Sequence, residues 1–247
     1  MATRVDGGQG AHTPRGGFMA DQGFFLRYSI VLAIFILFGF AQFAARGYSS
    51  FTTAPAIVHL HGGLMMTWLT IFVTQNALVH KGELAIHRKL GWFSAALVVL
   101  ISATMMMTGY HAVDIGRQPP FFSPPYFLAL TFVGAVAFAG MIGWAISLRR
   151  QVQWHRRIML GSIFILLEPA LGRILPMPLI MPWGEWLALA IQLIFVWVLA
   201  RHDRKILGAV HSATKAVAAI LILSHIAFEA LAMFPPLIRF AEALAAH

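Results

Sequence analysis

Apolar residues come in long runs separated by short polar breaks, and each run approaches the roughly 20 residues that a helix needs to cross a hydrocarbon core of about 30 Å. Seven such runs are predicted as membrane helices: Phe24 to Ala45, Ala56 to Val79, Leu90 to Tyr110, Tyr126 to Leu148, Ile158 to Ile174, Trp183 to Ala200 and Ala209 to Phe234. The fifth is the shortest and contains Glu168-Pro169, where the missing proline amide hydrogen predicts a kink. No segment alternates cleanly enough for a membrane barrel, and only helices or closed barrels satisfy backbone groups in lipid. The fold class expected is therefore all-α, an integral membrane seven-helix bundle. Residues 1–23, rich in Gly and broken by Pro14, are expected as a disordered tail rather than a cleaved signal; 24–234 form the membrane domain, and 235–247 a short outer tail.

The basic residues then set an orientation. From one end to the other, the polar breaks hold Lys and Arg in the order 3, 1, 3, 1, 4, 1, 3, 1, with Lys215 a turn or two inside the last run and able to snorkel back. The positive-inside rule places the N-terminus in the cytoplasm and the C-terminus outside. Composition agrees with this class: 59% of the chain is hydrophobic and 11% charged, far below the soluble share of about a quarter. The net charge of +9 is explained by topology, and no basic, aromatic-interleaved surface remains for nucleic acid. With 0 cysteines, disulfides and thiolate-held metals or haem are excluded. The location expected is the bacterial cytoplasmic membrane, with lipids as neighbours.

Three basic breaks share a phrase: His87-Arg88-Lys89-Leu90-Gly91, His155-Arg156-Arg157-Ile158-Met159-Leu160-Gly161 and His202-Asp203-Arg204-Lys205-Ile206-Leu207-Gly208. They read either as diverged copies of one hairpin or as ordinary basic loops that enter helices at a packing glycine. As His-Arg clusters on one face they suit lipid phosphates, haem propionates or an acidic partner. Together with His80 and His211, these histidines are candidates for a second centre, against the plainer reading of solvated loop histidines.

A His-bearing helix with Gln75 near its far end, the stretch Leu-Ala-Ile-His-Arg-Lys-Leu-Gly at 84–91, and Trp154-His155-Arg156-Arg157-Ile158-Met159 resemble an uncharacterised family of bacterial polytopic membrane proteins, a domain of unknown function. That family is similar in plan to small membrane proteins implicated in maturing haem-copper oxidases. The resemblance covers roughly residues 56–175 and carries His61, Gln75, His87, Arg88, Gly91, His155, Arg156 and Arg157. It implies haem, a redox or oxidase-maturation role, and a respiratory or oxidase complex as partner.

Residues alone point to a different slab. At about 1.5 Å per residue, His61, Glu168, His225 and Glu229 lie roughly 8–14 Å inside the outer boundary. His225 and Glu229 share a helix face. His61 is preferred to His59, about 200° away around the helix, because Met65, Trp68, Phe72 and Gln75 continue its stripe. His111 ends the third run at the same mouth. Two imidazoles, His61 and His225, suit haem iron, whereas the set His61, Glu168, His225 and Glu229 suits a divalent metal. The same four residues can instead form a hydrogen-bonded polar plug with no cofactor, Glu168 being protonated or paired with Arg173. The rival functions are a metal-dependent hydrolase acting on lipids, with Glu168 or Glu229 as base, and a non-catalytic scaffold. No catalytic residue is assigned.

Smaller features have plainer readings. Gly62-Gly63 with Thr67, Thr70 and Thr74 offer a surface for close helix approach, and the Met pairs read as filling. Trp183, Trp186 and Tyr126 read as an aromatic belt in preference to ligand stacking, and the Pro- and Phe-rich stretch 114–125 as a cap or surface loop.

Overall fold

The computed structural model describes residues 17, 19–49 and 52–246. Among them the chain is all helical: α1 (Gln22–Ala45), α2 (Ala56–His80), α3 (Leu84–Asp114), α4 (Pro124–Ser147), α5 (Val152–Ile165), α6 (Leu167–Ile174), α7 (Met177–Ile180), α8 (Gly184–Leu207), α9 (Ser212–Ala232) and α10 (Pro235–Ala245). Six of these, α1, α2, α3, α4, α8 and α9, are long and apolar enough to cross a membrane. The protein is therefore a multi-pass membrane protein.

The predicted fifth run is two helices rather than one kinked span. Pro169 has no amide hydrogen for the carbonyl four residues back, and its ring crowds that carbonyl. That carbonyl belongs to Ile165, where α5 ends. Next to it, Gln192 of α8 donates its side-chain amide to the Phe164 carbonyl at 3.0 Å, which satisfies a backbone acceptor at the break. Ile158, Ile163, Phe164, Leu167 and Ala170 are fully buried, so this broken rod is the axis of the core. Around it pack α1, α4, α8 and α9, while α2 and α3 form the flank between α1 and α4.

Three boundaries differ from expectation. The basic phrases are helical: Leu84 to Gly91 forms the first turns of α3, His155 to Gly161 lies within α5, and His202 to Leu207 closes α8. Their histidines are consequently held on rigid backbone rather than on solvated loops. At the N-terminus, residues 1–16 and 18 of the expected disordered tail lie outside the described residues, but Asp21 is buried and Gln22 already opens α1. The expected outer tail is the helix α10, whose Ala241 and Leu244 pack on Val113 of α3 and Leu128 of α4.

The small-residue surface also departs from expectation. A Cβ added at Gly62 or Gly63 would meet nothing within 4 Å. Thr67, Thr70 and Thr74 are exposed, and each turns its hydroxyl back to the carbonyl four residues earlier. This face of α2 looks out of the bundle, while the opposite stripe of Trp68 and Phe72 is buried as the periodicity predicts. The stretch before α4 acts as a cap, with Phe122 buried against Ala129, Met177 and Phe228.

Candidate functional site

At the end of the bundle where α2 meets α3 and α4 meets α5, the helices enclose a cavity of about 550 Å³, a size usual for small-molecule sites. Its depth is apolar, with Phe25, Trp68, Phe72, Ile142 and Leu160 among the walls. Its mouth is cationic, with Arg88, Arg149 and Arg150. Gln75, His87, Arg88, Gly91, His155 and Arg156 all line it. Of the eight residues carried by the resemblance, only His61 and Arg157 are missing from that wall.

Two imidazoles stand inside. The rings of His87 (α3) and His155 (α5) have centres 6.5 Å apart and planes at 86°. His155 Nδ1 lies 2.7 Å from the Ala145 carbonyl. A carbonyl only accepts, so Nδ1 carries the proton and the neutral ring is left with a lone pair on Nε2. His87 is held by the Gln75 backbone, and its Nδ1 is buried with no hydrogen-bond partner. Trp68 Nε1 and Gln75 Oε1, on two other wall residues, are likewise buried and unpartnered. Each such group costs free energy when buried alone, so this wall holds polar capacity that water or a ligand can meet.

Beside the cavity an ionic lattice ties the basic ends together. Asp21 receives two hydrogen bonds from Arg156 at 2.7 and 2.9 Å and lies 3.0 Å from His202 Nε2. Burial alone would raise the Asp21 carboxyl, but the bonds from His202 and Arg156 more than offset it and hold the group below the usual carboxylate range. Phe24 stacks on His202 with ring centres 3.7 Å apart. Arg157, fully buried, donates to Asp203 at 2.6 and 2.9 Å and to Gln153. Asp203 also accepts from the Thr214 hydroxyl at 2.5 Å and the His211 amide at 3.1 Å. Arg156 and Arg157 are thus engaged inside the protein, which corrects their expected role as open anion contacts. Arg88, Arg149 and Arg150 on the cavity lining are exposed.

The outer slab does not assemble as one centre. His61 Nδ1 sits 3.0 Å from the Thr104 hydroxyl on α3. His225 is buried on α9 against Trp186 and Phe228, and its Nε2 is 3.7 Å from Glu229 Oε1, as the spacing predicted. Glu168 meets Glu185 of α8 instead of His225. Arg173 donates to the Pro169 carbonyl at 2.7 Å and lies over Phe40, and no ion pair joins it to Glu168 among the described residues. His111 is partly exposed and pairs with Asp114 at 3.7 Å. Among the described residues no three His, Asp or Glu side chains are grouped to hold a metal ion. The expected quartet of His61, Glu168, His225 and Glu229 is therefore split, with only the His225–Glu229 contact realised.

Asp21, Glu185, Arg149 and Arg150 were not singled out by the sequence. Arg149 and Arg150 had a visible signal in their basic loop, and Asp21 lay in a stretch whose Gly and Pro content resembled a tail. Compared with known proteins, the chain matches no family model, no curated protein and no solved structure.

Proposed function

We propose that this protein binds haem in the cavity at its basic end and serves a redox or oxidase-maturation role in a bacterial cytoplasmic membrane. The observation that supports this is the meeting of His87 and His155 in a cavity with an apolar depth and an arginine mouth. With centres 6.5 Å apart, the rings of His87 and His155 are near enough that both could hold one haem iron. The hydrogen bond from His155 Nδ1 to the Ala145 carbonyl is the outer contact that orients a ligating imidazole. Arg88, Arg149 and Arg150 suit propionate carboxylates. Haem bound there would supply one-electron chemistry. The chain's own work is to exclude water with Trp68 and Phe72, orient the two rings and neutralise the anionic edge.

Purified from cells supplied with haem, the full-length protein is expected to show a Soret band that shifts on reduction. His87→Ala and His155→Ala should lose most of it, and His61→Ala and His225→Ala should keep it. Loss confined to the second pair would move the site to the opposite half. A folded but colourless wild type would remove haem, leaving the arginine mouth as a site for an anionic lipid headgroup.

The same proposal includes seven crossings, with α5 and α6 together as the fifth, the N-terminus inside and the C-terminus outside. The alternation of Lys and Arg along the chain supports it. A reporter fused after Gly208 should be active only in the cytoplasm, and one fused after Phe234 only outside. Both on one side would sink this topology.

A further inference from the structure

At the end of the bundle opposite the histidine cavity, a second cavity of about 420 Å³ is walled by Phe121, Phe122, Tyr126, Trp183 and Trp186, with Glu229 on its lining. We propose that this aromatic cage binds an organic ammonium ion, quaternary or alkylated, independently of the haem proposal.

The walls come from three separate parts of the chain: the cap before α4 with the first turn of α4, the turn from α7 into α8, and α9. The rings are mutually braced. Phe121 and Phe122 lie 4.7 Å apart, Phe122 stacks on Tyr126 at 5.3 Å, and Tyr126 meets Phe228 edge-on at 5.7 Å. Pro124 and Pro125 start α4 next to these rings and fix the entry of the chain.

Charge decides the ligand class. The Tyr126 hydroxyl donates to Glu229 Oε1 at 2.8 Å, so the hydroxyl is spent and the carboxylate is held in place, one third exposed. Behind it Glu185 is 1% exposed and is hydrogen-bonded to Glu168, so it lies outside the lining and the charge at the cavity comes from Glu229. His225, 3% exposed, has an unpartnered Nε2 near the same carboxylate. No lysine or arginine among the described residues lines the cavity. Aromatic faces carry negative quadrupole potential, so the faces together with the Glu229 carboxylate repel anions and attract cations. A small metal ion would need several oxygen or nitrogen ligands at close range, whereas one carboxylate among rings fits a bulky, diffuse cation that sheds its water cheaply.

The test is equilibrium dialysis of labelled choline against the full-length protein in a maltoside detergent. Saturable binding is expected, displaced by tetramethylammonium and unaffected by 3,3-dimethylbutanol, the neutral isostere of choline. Glu229→Gln keeps an acceptor for Tyr126 but removes the charge, and Trp183→Leu removes an exposed aromatic face. Each should weaken binding by about tenfold or more while the thermal unfolding midpoint stays near that of the wild type. Repeating the titration in nanodiscs separates the sources. Competition by phosphatidylcholine but not phosphatidylglycerol discs identifies a lipid headgroup, and equal binding in both identifies a free cation. Equal displacement by choline and its neutral isostere, or unchanged affinity in both variants, would overturn the proposal and leave the rings as part of the membrane boundary.

Discussion

Asp203→Ala is expected to destabilise the protein by about 3–5 kcal/mol, enough to abolish the folded yield of a marginally stable bundle. The reason is the Arg157 guanidinium. It is fully buried, and it donates to Asp203 through Nε and Nη2. Removing the carboxylate leaves that cation without its counter-charge, and also strips acceptors from the Thr214 hydroxyl and the His211 amide at the start of α9. Losing one partner of a buried pair costs far more than the pair itself contributes. Accordingly, Arg157→Met combined with Asp203→Leu should recover part of the loss, though not all, because Thr214 and His211 stay unsatisfied. The measurement is thermal unfolding of detergent-purified protein, followed by the fraction that remains monodisperse. An Asp203→Ala protein that melts with the wild type would show that α5, α8 and α9 are joined by apolar packing alone.

That ion pair shows where the sequence is legible and where it is not. Apolar length marks the six long helices, while the remaining run it predicted, the fifth, is the pair of shorter helices α5 and α6 broken near Pro169; both effects are local to the backbone. The stripe from His61 through Trp68 and Phe72 is visible for the same reason, as is the His225–Glu229 contact four residues apart. Lateral neighbours are a different matter. α4 is apolar all round, so its periodicity does not say which face meets α3, α5 or α9. Depth along the membrane normal put His61, Glu168 and His225 in one slab, yet side chains at equal depth can face different helices. Arg157 and Asp203 carry no mark of partnership in a sequence where both sit in basic phrases. The histidine cavity was half visible. Its residues were named through the resemblance, but their meeting depends on α3 and α5 being brought together by α4, which only the packed structure reveals.

Gly161→Leu is expected to be the most damaging substitution of a non-ionic residue in α5. Even the first carbon of a new side chain would lie 2.5 Å from Val217 Cγ2 and 2.6 Å from Met141 Cε. The methionine end can swing aside, but Val217 is fully buried on α9 and stiff at χ1, so α9 itself has to move. Overpacking of this kind costs about 1–3 kcal/mol for a few added carbons, and leucine adds more than alanine. Alanine has a helix-propensity advantage over glycine of about 1 kcal/mol, so Gly161→Ala sets two opposed terms of similar size against each other. Steric loss should win there because the contact is with a β-branched, buried side chain, and Val217→Ala in the same protein should reverse the sign by making room. Gly143 on α4 provides the control: a Cβ there meets nothing within 4 Å, so Gly143→Ala should be neutral or slightly stabilising. The unfolding midpoints of these four variants, compared in one detergent, separate the two terms. If Gly161→Ala and Gly143→Ala shift the midpoint equally, the close approach of α5 to α9 at Gly161 is not what holds the buried rod in place.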